Sequence, residues 1–195
     1  MPIEKSEFGP RFAMPRADDL LDVAHRLRES SGGSEAARRR AISDAYYAAF
    51  GEIIEGVASL ITHDGAAARI SRRVNHSHVK AVANAIISAP PAGSPLASRT
   101  KYAETIKHTV LPDTPSSDLR TVGEAFVASH RAREAADYDY SRTVGPGELH
   151  LALQSATDIV RLVRSGLNVE ERSSLLYSVL LQAYERPRKC VFLSK

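Results

Sequence analysis

Tryptophan is absent from this 195-residue chain, cysteine occurs once, and no stretch stays apolar for long. Each scarcity excludes something. Cys190 has no second cysteine with which to close an internal disulfide, which rules out a stapled secreted scaffold. Met1 to Phe12 contains no apolar stretch of the kind a signal peptide needs, so a cytoplasmic protein is expected. The longest apolar run, Ala81 to Pro91, is broken by Asn84 and Ser88 and falls short of the ~18 residues a membrane helix requires. No membrane partner is expected. Tyr and Phe are few, and Val and Ile seldom alternate with polar residues, so nothing announces a sheet. Acidic residues are missing altogether from Gly65 to Ala103, where Arg69, Arg72, Arg73, Lys80, Arg99 and Lys101 sit together with His76 and His78. That segment reads either as a phosphate-facing surface or as a solvated basic face answered by acids elsewhere in the fold.

What is present is helical. Ala, Leu, Arg and Glu are plentiful, and 43% hydrophobic content over this length suffices for one compact core. Pro15 suits a first helical turn, Leu20, Ala24 and Leu27 follow at helical spacing, and Gly32-Gly33 stops that element. Ser34 is placed to cap a long second helix whose stripe runs through Ile42, Ala45, Tyr46, Ala49, Phe50, Ile53, Val57 and Leu60. A shorter helix is predicted over Ser77 to Ser88, while the prolines after Ala89 leave Pro95 to Pro115 undetermined. Pro146-Gly147 opens a further helix closed by Gly166, and Asn168 with Glu171 has the spacing of a capping box for the last one. Consecutive amphipathic helices with mostly short connections predict an all-α, antiparallel bundle.

The helix beginning near Leu119 has an unusual stripe. Leu119, Val122 and Phe126 are apolar, but the same line continues through His130, Arg133 and Asp137 and is followed by Tyr138. A core-facing stripe thus ends in charge. Burying charge is costly unless it is paired, so this end of the helix holds either a structural ion pair or a functional site. In the structural reading, Arg133 pairs with Asp137 four residues on, and Asp137 also accepts from Tyr46 or Tyr47. Tyr46 continues the apolar stripe of its own helix and needs a polar partner for its hydroxyl. Tyr47 lies over Arg40 and Ser43 and reads either as packing or as an aromatic surface for a base, with cations for phosphates.

Two segments resemble a known family. Arg39-Arg40-Ala41-Ile42-Ser43-Asp44-Ala45-Tyr46-Tyr47-Ala48-Ala49-Phe50 resembles the R-A-Y-Y-A-A-F helix of HEPN domains, and Arg133-Glu134-Ala135-Ala136-Asp137-Tyr138-Asp139 resembles their R-x-x-A-D-Y-D element. Between them, His76-Ser77-His78-Val79 resembles the H-S-x-V/I that opens the intervening helix. The resemblance spans roughly Asp18 to Ser165. It implies a HEPN-like bundle over residues 15–166, with 167–195 as a C-terminal helical extension packed on the same domain. It further implies a homodimer concerned with RNA or nucleotides, in a bacterial toxin-antitoxin or phage-defence setting, with a nucleotidyltransferase or antitoxin as a further partner. In such a dimer Arg133, Asp137 and Tyr138 of both chains would line one cleft, with His130, Arg133 and Asp137 partly exposed in a single chain.

Ribonucleases of this family carry the motif arginine, then four to six residues, then a histidine. Here Asp137-Tyr138 stands in its place. Metal-independent RNA cleavage needs a base and an acid near neutrality, roles that suit histidine. Asp137 would need a strongly raised pKa to act as an acid, and Tyr138 a strongly lowered one to act as a base. His130, three residues before Arg133 on the same helical face, reads either as a replacement across a dimer cleft or as an ordinary interface or core histidine, and Arg73 with His78 has the family's interval in another segment. Two readings follow. One is a non-catalytic binding or partner module that uses Arg40, Tyr47, Arg69, Arg72, Arg73, His76, His78 and Lys80 toward RNA or a nucleotide; the missing histidine favours it. The other is a ribonuclease effector acting through Arg133 with His130, Asp137 or Tyr138. Neither calls for a cofactor or a metal: the chain has no glycine-rich phosphate loop, no nucleophile elbow and no zinc spacing, and His76-x-His78 alone is a weak ligand pair.

Overall fold

The computed structural model describes residues 16–30, 34–61, 64–90, 93–106 and 109–184. Pro15, Gly32-Gly33, Cys190 and the stretch Met1 to Phe12 lie outside the described residues, as does the part of the C-terminal extension beyond Tyr184. Among the described residues there are eight α-helices, one π-helical turn and no strand: α1 (Ala17–Ser30), α2 (Glu35–Ser59), α3 (Asp64–Ser71), α4 (His76–Ile87), α5 (Leu96–Ile106), α6 (Ser117–Tyr138), α7 (Pro146–Arg161), the π turn (Leu162–Gly166) and α8 (Val169–Tyr184). No described helix is long and apolar enough to cross a membrane.

Helix α2 is the hub. It packs against α1, α3, α6, α7 and α8, so nearly every residue from Ala41 to Val57 is buried, polar Ser43, Asp44 and Glu52 included, rather than one stripe alone. Tyr46, Ile42 and Ile53 of α2 meet Leu119 and Phe126 of α6, Leu149 and Ile159 of α7 and Leu176 of α8 in one core. Val122 and Phe126 are buried there, as their stripe predicts. Gly123 lets α4 and α6 approach closely, because a Cβ at that position would stand 3.1 Å from the Ala83 carbonyl oxygen.

The helix ends obey local chemistry with one exception. Ser34 occupies the N-cap of α2, yet its hydroxyl makes no capping bond. Arg38 and Arg39, one turn in, instead reach away from the helix toward the α6–α7 connection. Pro146 stands in the first turn of α7, and the Gly145 amide donates to Glu148 at 3.0 Å. Asn168 accepts from the Glu171 amide at 2.8 Å as its spacing predicts. The Glu171 carboxylate also accepts from the Ser116 amide and from its hydroxyl, both at 2.8 Å. Ser116 in turn caps α6 by accepting from the Leu119 amide at 3.1 Å.

Two helices were not legible. Helix α3 carries a single deeply buried apolar residue, Ile70, among alanines, and therefore shows no stripe. Helix α5 begins directly after Pro95, inside the undetermined stretch, and anchors itself through Tyr102 and Ile106.

Candidate functional site

The polar end of the α6 stripe meets the middle of α2 and the start of α4. Arg133 is held from three sides: Nε lies 2.6 Å from Asp137 Oδ2, and Nη2 donates to the Tyr47 hydroxyl at 3.0 Å and to the Tyr138 hydroxyl at 3.1 Å. Its guanidinium carbon stands 5.1 Å from the Tyr138 ring centroid, 5.6 Å from that of Tyr47 and 6.0 Å from that of Tyr46. Asp137 accepts through its other oxygen from the Ser43 hydroxyl. The predicted Arg133–Asp137 pair is therefore present, but its carboxylate is shared with Ser43 rather than with Tyr46 or Tyr47. A hydroxyl reaches an α6 carboxylate from that point of α2, whereas both phenols are turned elsewhere.

Tyr46, with 0% of its surface exposed, has its hydroxyl 2.7 Å from His76 Nδ1. His130 is 7% exposed, and its Nδ1 lies 3.1 Å from Glu134 Oε2 and 3.4 Å from Lys80 Nζ. The expectation that His130 is partly exposed in one chain fails, because α4 and α2 cover it without help from a second copy. The two imidazoles meet edge to face with centroids 6.4 Å apart. Burial holds both below the ordinary histidine range, with the Arg133 cation adding to the effect and Glu134 opposing it at His130. Both rings are neutral at pH 7. Burial pushes Tyr46 up, and Asp44, buried beneath Arg40, is raised as well.

These shifts make a pH prediction. An imidazole with a lowered folded-state pKa stabilises the fold above the unfolded value of about 6.5, and that stability is lost as pH falls through the folded one. The Tm is expected to fall between pH 7 and pH 5.5, and His76→Gln to flatten the decline; equal slopes in both proteins would exclude His76 as the cause.

The other predicted site residues are dispersed. Tyr47 is half-buried, its ring in edge contact with those of Tyr46 and His76. Arg40 is exposed but pairs with Asp44 at 2.9 Å. Arg69, Arg72 and Arg73 are exposed, and Arg73 lies over the Tyr184 ring at 5.0 Å. His78 accepts from the Asn75 amide at 3.2 Å in the capping box of α4, so it does not join Arg73 in a catalytic pair. Lys80 points toward His130 and Glu134 rather than outward with the neighbouring arginines. Ala136 of α6 is buried inside its own chain. A groove of about 280 Å³ runs between α6 and α7 past Ala128, Ala132 and Leu151, and none of the clustered tyrosines or histidines lines it.

Sequence reasoning missed Arg39, Ser43 and Glu134. Arg39 bonds Glu35 and the carbonyls of Ala135, Ala136, Asp139 and Arg142, gripping the end of α6 that carries Asp137 and Tyr138. The four-residue spacing of His130 and Glu134 was visible in the sequence; the grip of Arg39 was not, since it crosses about a hundred residues. Among the described residues no group of His, Cys, Asp and Glu is arranged to hold a metal. Comparison of the chain with protein-family models, with curated proteins and with solved structures returned no match.

Proposed function

We propose that this protein is a HEPN-like, non-catalytic module that binds RNA or a nucleotide, working as a homodimer or beside a nucleotidyltransferase or antitoxin in a bacterial defence or toxin-antitoxin system. The observation that supports a binding rather than a cleaving role is the state of Arg133. Its guanidinium is engaged by Asp137, Tyr47 and Tyr138 of the same chain. Cleavage needs an acid and a base placed across the phosphate from that cation. His76 and His130 instead sit deeper, tied to Tyr46, Glu134 and Lys80. The exposed Arg69, Arg72 and Arg73 supply positive charge for a phosphate backbone.

The test joins cleavage with binding. Single-stranded RNA incubated with the protein in chelator is expected to stay intact, while its affinity falls with log salt at a slope of roughly −0.7 per contacted phosphate. Charge reversal at Arg69, Arg72 and Arg73 is expected to flatten that slope. Cleavage that disappears in His130→Ala would replace this proposal with the ribonuclease reading; binding that ignores salt and reversals would return the basic segment to a solvated face.

A further inference from the structure

Arg133 is covered unequally. Asp137 and Tyr47 are half-buried and packed among other groups, with Tyr47 against the rings of Tyr46 and His76. Tyr138 is the last residue of α6 and 69% exposed, yet its ring lies over the guanidinium at 5.1 Å and its hydroxyl takes an Nη2 hydrogen at 3.1 Å. The backbone leaves the helix at Asp139 in an extended conformation, so a change of the Tyr138 rotamer disturbs no helical turn beyond it. An aromatic ring stacked on an arginine, with an oxygen on the same guanidinium, is also what a nucleotide offers to such a cation.

We propose that Tyr138 is an intramolecular lid: it occupies the outer face of Arg133 in place of a phosphoryl-bearing ligand and must swing aside for that ligand to bind. The inference rests on the nucleotide or RNA reading above and adds the residue that regulates access. With Tyr138 displaced, Asp137 still holds Nε and Tyr47 still orients Nη2, so the guanidinium keeps its position while its outer face opens. The ligand meets one cation there, and it also meets the Asp137 carboxylate, which favours a singly charged phosphodiester over a monoester, whose charge approaches two at pH 7.

A lid competes with the ligand, so its removal tightens binding. That sign separates it from a tyrosine that stacks on the ligand, whose removal weakens binding. An exposed cation–π contact of this kind, when it must be broken first, lowers apparent affinity about two- to five-fold. Binding of a fluorescent single-stranded RNA 12-mer by anisotropy, and of adenosine monophosphate by calorimetry, would be measured at low salt for the native protein, Tyr138→Ala and Tyr138→Phe. Tyr138→Ala is expected to bind about two- to five-fold more tightly, with Tyr138→Phe in between. A gain for the mononucleotide as well as the 12-mer would identify a single phosphoryl group as the ligand; a gain for the 12-mer alone would identify the strand. Native protein that binds while Tyr138→Ala binds equally or more weakly overturns the lid and leaves the binding proposal standing. If neither probe binds the native protein or Tyr138→Ala, both proposals fall.

Discussion

Arg39→Ala is expected to cost about 3 kcal/mol, because several carbonyls at the end of α6 lose a charged donor worth roughly 1 kcal/mol or more each. Four carbonyl oxygens, those of Ala135, Ala136, Asp139 and Arg142, converge on this one side chain. Helix ends leave their last carbonyls without intrahelical partners, and the guanidinium supplies several of them at once. For a chain of this length the corresponding drop in Tm is about 6 to 12 °C. Thermal denaturation followed by circular dichroism reads it directly. Arg39→Lys is expected to recover little, since one ammonium cannot span the same carbonyls. A loss under about 2 °C would mean that the α6–α7 connection keeps its shape without Arg39.

Breaking the Arg133–Asp137 pair is expected to cost a similar amount. Removing one partner of a buried ion pair costs about 3 to 5 kcal/mol, and the low end applies because both side chains keep some solvent contact. Arg133→Ala also strips the Tyr47 and Tyr138 hydroxyls of a donor, while Asp137→Ala leaves the Ser43 hydroxyl only the Arg39 carbonyl, at 3.3 Å, as acceptor. The double variant should therefore lose less than the sum of the singles, with a coupling of roughly 1 to 2 kcal/mol in chemical denaturation. Strict additivity would show that the two groups act independently despite their separation of 2.6 Å. Arg133→Lys separates charge from shape, because an ammonium can face Asp137 but cannot reach both phenols in the same plane.

The fold was legible wherever burial is one-sided. Helices α4, α6 and α7 could be placed from their apolar spacing, and α8 from Asn168, Glu171 and the Leu175–Val179 pair, because each turns one face to the core. The failures have the opposite character. The alanines of α3 leave no contrast between faces, and Pro95, which reads as a breaker, sits just outside α5 and caps its first turn with its carbonyl. At the candidate site, the charged end of the α6 stripe was visible as an anomaly, and its internal pair follows from i,i+4 spacing. Which α2 side chain meets Asp137 was not visible. Ser43, Tyr46 and Tyr47 lie within a little over one turn, and the choice among them depends on the rotation of α2 against α6, a tertiary quantity that no local pattern encodes. His130 was misjudged for the same reason: its exposure is set by Lys80 and Tyr46 from two other helices.

Glu171 gives the C-terminal helix a bearing on the rest of the chain. One carboxylate closes the start of α8 through Asn168 and holds the start of α6 through Ser116, so two helix N-termini share a single anion. Helix α6 carries Arg133, Asp137 and Tyr138 at its far end. A chain shortened at Gly166 would surrender the Leu175, Leu176 and Val179 packing and also free the first turn of α6 from its anchor. The segment that looks like an appendage in the sequence is thus a fastening for the helix on which the site is built, and the two cannot be exchanged between proteins as separate modules.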